Sequence, residues 1–312
     1  MYRKIITTEE IESSSFGSQP VCQLTLTAEE TDSVTLILDR QQYSMLNSRF
    51  SRQYLALCKE ERMYEQIDAA PNCRQLENLV RKYSLCDVCD FSDINLYGVK
   101  RALKVLVRVL YRYPKLRSKL CYIGSPNGYF SKMDSLAWGD KDVLKDFGLQ
   151  YICQSDIAIK LGRMMKVIAR NAVTSSNDYV AMAVNAFGLF DAVLLDQNDY
   201  EGYAYIQLVS RLRQDVASGF APEGCHTPEA IVYHELGHML DYMCDISESR
   251  ELLSYVRTLS SRDVETGLSR YAATSTRELI AEAFAEYMCN DTPRSIARKI
   301  GSIVEREYAG FK

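Results

Sequence analysis

The segment His234-Glu235-Leu236-Gly237-His238 constrains the local structure of this 312-residue chain more than any other feature. Histidines four positions apart share one face of an α-helix. Upstream, Thr227 and Pro228 form a typical helix start, with threonine as the N-cap and proline in the first turn. Apolar residues then recur at helical spacing. The segment therefore predicts a helix from about Ala230 to Met243 that carries both imidazoles on one face.

Two imidazoles on one helix face can bind a single metal ion, which makes His234 and His238 candidate ligands. Glu235, next to the first histidine, is placed to meet the open coordination position of the ion. There it can take a proton from a metal-bound water molecule. The alternative is a pair of core or surface histidines with an accidental spacing. Because the chain has only three histidines, we favour a metal site.

A catalytic zinc ion needs a third protein ligand. The metzincin class places a glycine and a histidine three and six residues beyond the motif, where this chain has Asp241 and Cys244, and is excluded. His226 precedes the helix start and stays a candidate, together with carboxylates and cysteines downstream. Asp241 lies one turn beyond His238 and fits a supporting or helix-packing role better than ligation.

The best downstream candidates are three glutamates on one stripe of a helix predicted over Thr276–Cys289. Small and apolar residues surround Glu278 and Glu282 nearly all round, and a buried carboxylate needs a partner or a metal. We expect Glu278 to bind the ion and Glu282 to bond the other nitrogen of a ligand histidine. Glu286 fits a solvated acidic edge of the same helix.

These candidates belong to two longer patterns. They are His234-Glu235-x-Gly237-His238-x-x-Asp241 and Tyr271-x-x-Thr274-x-x-x-Glu278-x-x-Ala281-Glu282-Ala283-Phe284. Together the patterns resemble the catalytic domain of anthrax lethal factor and its relatives, a family of gluzincin-type zinc metallopeptidases. The resemblance implies one zinc ion bound by His234, His238 and Glu278, with Glu235 as the general base. It also implies that Tyr271 stabilises the oxyanion formed during peptide hydrolysis.

Strand patterns early in the chain and helix patterns late in it indicate an α+β fold. A turn is expected over Ser125–Gly128, after a short strand. The last strand before the motif helix is expected to be an exposed sheet edge, to which an extended peptide substrate would add. The predicted strands are Cys22–Leu26, Ser33–Leu38, Tyr122–Gly124 and Ala192–Leu195.

The resemblance implies a zincin-like metallopeptidase domain over residues 96–312. Such a domain has a small mixed sheet over the active-site helix and a helical C-terminal part. Residues 1–95 are expected to form a smaller N-terminal α+β region whose role the sequence does not indicate. An aspartate-rich stretch at Cys86–Tyr97 is the expected boundary.

Composition narrows the class of partner. Hydrophobic residues make up 47% of the chain and charged residues 25%, which excludes disordered, collagen and coiled-coil chains. The net charge of −4 offers no basic field for nucleic acid. One predicted helix carries a basic stripe, which is more typical of a solvated face. The stripe consists of Arg101, Lys104, Arg108, Arg112 and Lys115.

The sequence contains no apolar stretch typical of a secretory signal or a membrane span. We therefore expect a cytoplasmic protein with reduced cysteines, a peptide or protein substrate and no membrane or nucleic-acid partner. The sequence does not indicate the oligomeric state. Relatives of the lethal-factor domain also occur beside phage and mobile-element proteins. The alternative function is therefore a zinc-containing structural or assembly module.

Overall fold

The computed structural model describes residues 4–5, 21–28, 33–39, 59–138, 140–147, 181–185, 191–195 and 202–311, with single positions between 160 and 167. The chain divides into two compact units, Met1–Arg62 and Met63–Lys312. The sequence also predicts a turn at Glu29–Asp32 and a helix over Asp156–Arg170. The turn and most of that helix lie outside the described residues.

The first unit contains a three-stranded antiparallel sheet in the order β1-β2-β3. Both strands predicted here are confirmed, because alternating and β-branched residues suit a pleated pair. Within the pair, Cys22 lies opposite Leu38 and Leu26 lies opposite Val34. The strands are β1 Lys4–Ile5, β2 Val21–Ala28 and β3 Ser33–Asp39.

The second unit contains a four-stranded mixed sheet in the order β4-β5-β7-β6. Its strands are β4 Val88–Asp90, β5 Tyr122–Gly124, β6 Ala181–Val184 and β7 Ala192–Leu195. Strands β4, β5 and β7 run parallel, and β6 pairs antiparallel with β7. The strands predicted at Tyr122–Gly124 and Ala192–Leu195 are confirmed.

The edge of this sheet is not where the sequence placed it. Strand β7 lies between β5 and β6, and all four of its residues are buried. An entirely apolar strand is typical of a sheet interior with both faces covered. The prediction of an exposed edge at Ala192–Leu195 is therefore wrong, and among the described strands β6 forms the edge on that side.

Helices cover most of the rest of the described second unit. Those predicted around the motif and over Thr276–Cys289 are confirmed, with Thr227 as the N-cap of the motif helix. Residues 59–69 are helical. The helices that follow are α1 Cys73–Lys82, α2 Leu96–Arg112, α3 Pro126–Ala137, α4 Lys141–Asp146, α5 Gly202–Ala217, α6 Pro228–Cys244, α7 Arg250–Val256, α8 Ser261–Gly267, α9 Thr276–Cys289 and α10 Ser295–Gly310. The α+β fold class is confirmed in this form, mostly helical with a small mixed sheet.

The turn predicted over Ser125–Gly128 is wrong, because these residues begin α3. The Ser125 hydroxyl accepts the N–H of Gly128 at 3.1 Å and caps the helix. Tyr129 and Met133, four residues apart, are fully buried on one face of α3. A serine followed by proline starts a helix as readily as a turn, and the apolar spacing beyond it decides between the two.

The core of the second unit begins earlier in the chain than the boundary expected within Cys86–Tyr97. Met63 and Leu76 are buried in the same hydrophobic cluster as Leu236 of α6. The aspartate-rich stretch itself carries strand β4 and the fully buried Phe91. Residues 63–95 therefore fold with the helices that follow them, and the division falls after Arg62.

The basic stripe of α2 is paired within the second unit. Arg101 contacts Glu229, Arg112 contacts Glu305, and Lys104 lies 2.7 Å from Asp68. Arg101 and Lys104 are partly exposed, and Arg108, Arg112 and Lys115 are exposed. The solvated face that the sequence predicted is therefore confirmed, and these ion pairs lie along it. None of the helices in the described ranges combines the length and the apolar character that a membrane span requires.

Candidate metal centre

Helices α6 and α9 pack against each other at very short range. A Cβ atom added at Gly237 would lie 3.0 Å from the Cα of Ala281 and 3.2 Å from the Cβ of Phe284. The glycine therefore allows the two helix backbones to approach more closely than a side chain would permit. At the start of α9, the Ser275 hydroxyl accepts the N–H of Glu278 at 3.1 Å, which fixes the first turn opposite the motif.

Three side-chain atoms from these helices converge on one point. His234 Nε2 lies 3.1 Å from His238 Nε2 and 3.1 Å from Glu278 Oε2, and the remaining pair of atoms is 3.4 Å apart. A tetrahedral zinc ion with ligands at about 2.0–2.1 Å separates its ligand atoms by roughly 3.3 Å. The three atoms therefore have the separations that one tetrahedral ion requires, and these residues could hold a metal.

The Glu278 oxygen in this group has an unusual environment. Glu278 Oε2 is buried and accepts no hydrogen bond of good geometry from the described residues. Burial raises the pKa of Glu278, but the two nearby histidines outweigh that effect and hold its pKa well below the usual range. A buried oxygen that is ionised and lacks a donor is suited to a cation.

The orientation of His234 is set by a second carboxylate. His234 Nδ1 lies 2.8 Å from Glu282 Oε1, so that Nδ1–H donates to the carboxylate and Nε2 is the ring nitrogen that faces His238 and Glu278. Burial lowers the pKa of His234, but the nearby carboxylates of Glu278, Glu282 and Glu235 raise it by more. Glu282 thus lies where the sequence predicted a partner for a ligand histidine.

Glu235 is buried on the same helix and points to the sheet. Its Oε2 accepts the N–H of Ala183, in edge strand β6, at 2.6 Å. Burial raises the pKa of Glu235, with His234 and His238 acting in the opposite direction. A buried carboxylate with a raised pKa, adjacent to the two histidines and outside the converging group, is suited to exchange a proton.

Tyr271 lies against His234. Its ring stacks on the His234 ring with centroids 5.9 Å apart and an interplanar angle of 25°. Burial and the nearby carboxylates of Glu278 and Glu235 raise the pKa of Tyr271 to about 12. The phenol therefore stays protonated at neutral pH and can donate a hydrogen bond.

Phe220 is a residue of this centre that the sequence did not reveal. Its ring lies 5.4 Å from the Tyr271 ring and is 43% exposed, and Arg270 covers it at 6.0 Å. Gly219, in the left-handed conformation at φ 73°, ends α5 and directs the chain to this position. The available signal was a glycine followed by a large apolar residue at a helix end, which is common and points to no function.

Asp241 and His226 lie outside the converging group. Asp241 is buried, its Oδ1 accepts the N–H of Ser247 at 2.6 Å, and its Oδ2 lies 3.7 Å from Arg277 Nε. It therefore holds the chain that leaves α6, which is a packing role. His226 is exposed ahead of the helix and is not among the three converging residues.

The expectation that Glu286 is solvated is wrong. Its side chain is completely buried, and Arg294 donates to both of its oxygens, with Nη2 at 2.6 Å from Oε2. The backbone N–H of Arg294 adds a further bond at 2.7 Å. The reason is the turn into α10, which returns an arginine to the end of α9 and supplies the partner that a buried carboxylate needs.

Comparisons of the chain with protein-family models, curated proteins and solved structures found no match.

Proposed function

We propose that this protein is a zinc-dependent endopeptidase whose second unit has a zincin-like catalytic fold. The observation that carries the proposal is the convergence of His234 Nε2, His238 Nε2 and Glu278 Oε2 at separations of 3.1–3.4 Å. Two histidines and a glutamate are a ligand set of catalytic zinc, which keeps its fourth position for water or substrate. A structural ion normally has four protein ligands, so this set favours catalysis.

Zinc held by these residues would supply a polarised water molecule and a positive charge for the peptide carbonyl. Glu235 would accept a proton from the water and pass it to the leaving amine, since its buried carboxylate lies next to the two histidines and burial raises its pKa. Tyr271 donates its hydroxyl proton in a hydrogen bond to the developing oxyanion. Glu282 keeps His234 in the tautomer that ligation needs.

We infer that the substrate is a peptide segment in extended form. Strand β6 is an edge of the described sheet, and Ala183 on that strand directs its N–H toward Glu235 on the side away from β7. A peptide added to this edge would place its backbone beside the general base. The charge of −4 and the paired basic stripe favour a peptide over a nucleic acid.

The alternative is a zinc-containing structural or assembly module of a phage or mobile element. In such a module Glu235 would have no proton to move. The presence of Glu235 beside the two histidines therefore favours the peptidase, because a purely structural ion needs no general base. Both functions require bound zinc, but only the peptidase cleaves peptides.

The test compares zinc-loaded wild-type protein with Glu235→Gln protein on a diverse peptide library. The substitution keeps the size of the side chain and removes its basicity, so we expect turnover to fall by about 10²–10⁴-fold. Each protein is expected to retain one equivalent of zinc by elemental analysis. Glu265→Gln, at an exposed position of α8, is the control and should leave turnover unchanged.

Equal turnover by wild-type and Glu235→Gln protein would contradict the assigned mechanism. A wild-type protein that binds zinc and cleaves nothing in the library would favour the assembly module. Absence of bound zinc would contradict both the peptidase and the zinc-containing assembly module.

A further inference from the structure

Ser269 is a fully buried residue just after α8. Its hydroxyl donates to Glu282 Oε2 at 2.8 Å and accepts the backbone N–H of Ala272 at 3.0 Å. Glu282 is the carboxylate that orients His234, and Ala272 directly follows Tyr271. The Ser269 hydroxyl therefore contacts both Glu282, which orients the proposed ligand His234, and the segment that carries Tyr271, the proposed oxyanion donor.

The backbone around this hydroxyl is held from two sides. The N–H of Ser269 donates to the carbonyl of Val264, in α8, at 3.1 Å. Arg294 donates to the carbonyl of Leu268, and the buried Glu286 fixes Arg294 in turn. Because its own backbone cannot shift freely, Ser269 presents its hydroxyl at a fixed point.

The Glu282 carboxylate needs a hydrogen-bond donor at a fixed position to keep its own orientation. One oxygen accepts from His234 and the other from Ser269, so the plane of the carboxylate is defined by two donors. The terminal torsion of a glutamate side chain is broad and sets no orientation by itself. With a single donor the carboxylate could rotate, and the His234 ring would lose part of its constraint.

We propose that Ser269 is a positioning residue that fixes the Glu282 carboxylate, and through it the His234 imidazole, at the same point where it anchors the Tyr271 segment. This inference rests on the proposed zinc centre. It extends that centre by one residue that no local motif marks. Ser269 touches neither the metal nor the substrate and acts through Glu282.

The test measures zinc affinity by chelator competition in wild-type and Ser269→Ala protein. Loss of an outer partner of a ligand typically costs about 10–100-fold in metal affinity, and we expect that cost for Glu282→Ala. Ser269 contacts Glu282 and not the ligand itself, so we expect Ser269→Ala to lower zinc affinity by roughly three- to tenfold. Ser249→Ala removes a serine hydroxyl that caps α7 and is the control, with zinc affinity unchanged.

The double variant Ser269→Ala with Glu282→Ala provides the decisive comparison. If Ser269 acts through Glu282, the double variant binds zinc as Glu282→Ala does, with no further loss. The visible spectrum of the cobalt-substituted protein should also change in Ser269→Ala, because it reports the ligand geometry. Ser269→Cys, which keeps the volume but donates weakly, replaces Ser269→Ala in the same cycle if the alanine protein does not fold.

The zinc centre and the positioning role of Ser269 can be refuted independently of each other. A wild-type protein that binds no zinc overturns the metal centre itself. A wild-type protein that binds zinc, with Ser269→Ala within twofold of it or additive with Glu282→Ala, overturns the positioning role and leaves the centre intact.

Discussion

The two ends of α9 place the same residue type in opposite surroundings. Near its start, Glu278 faces two imidazole nitrogens, and its buried Oε2 accepts no well-formed hydrogen bond from the described residues. Near its end, Glu286 is buried more completely and accepts N–H groups of Arg294 on both oxygens. Both lie on one stripe of one helix, two turns apart.

Burial of a carboxylate therefore does not by itself identify a metal ligand. The number of hydrogen-bond donors around it is the better criterion. The lone pairs of Glu286 are satisfied by an arginine, which leaves nothing for a cation. Glu278 Oε2 lies 3.1 Å from His234 Nε2, which in the neutral ring is also an acceptor because Nδ1–H donates to Glu282. A cation resolves this arrangement.

The largest expected effect is on zinc binding after Glu278→Ala. The variant loses one of three ligands, so its zinc affinity should fall by about 10³-fold or more, beyond the 10–100-fold typical of an outer partner. Chelator competition measures the change. Glu286→Gln should bind zinc within about tenfold of the wild type on the same scale. Comparable losses in both variants would end the distinction between the two ends of α9.

The next effect is on stability after Glu286→Gln. Breaking a buried ion pair typically costs 3–5 kcal/mol, and we expect about 3 kcal/mol because the Arg294 side chain is 23% exposed and can gain water. Urea unfolding in the presence of a chelator measures this free energy without a contribution from zinc. Glu278→Gln should destabilise the metal-free protein less, and an equal loss in both would contradict the comparison.

The smallest effect concerns Glu251, a carboxylate paired at the surface. Hydrogen bonds from Arg306 and Lys299 lower its pKa. A lowered pKa in the folded state stabilises the protein above the unfolded-state pKa, and this contribution disappears as pH falls through the folded-state pKa. Glu251→Gln should therefore lower the melting temperature slightly at about pH 7 and not at about pH 2, with an effect several-fold smaller than that of Glu286→Gln. A larger decrease in melting temperature at about pH 2 than at about pH 7 would contradict the predicted direction of this pH dependence.

The helices at the centre could be predicted because their signals are local. Thr227, Pro228 and the apolar spacing define α6, and the bounds of α9 follow from the same kind of pattern. The sheet edge could not be predicted this way. Ala181–Val184 and Ala192–Leu195 are both short and apolar, and only the pairing of the second strand with β5, which lies far away in sequence, places it inside.

The site shows the same limit. The motif spacing is sufficient to bring His234 and His238 together, and a one-turn separation is sufficient to place Glu282 beside its neighbour Glu278. The partner of Glu286 lies across a turn in the next helix, where no periodicity reaches it. Phe220 arrives from a different helix end altogether. The contacts of Glu278 and Glu282 with His234 join two helices and were expected because both helices carry a motif. The contacts of Glu286 and Phe220 are also tertiary, but no motif marks them.

Gly237, inside the motif, allows the backbones of α6 and α9 to lie close together, and this distance affects the geometry of the proposed metal centre. A methyl group at Gly237 would press on Ala281 and Phe284, and α9 would have to yield by a few tenths of an ångström. Glu278 would move with the helix, away from the two imidazoles on α6. Metal–ligand distances are held to about 0.2 Å. The size of the ion that the proposed centre would accept therefore depends on the absence of a side chain at Gly237 as well as on the three proposed ligands.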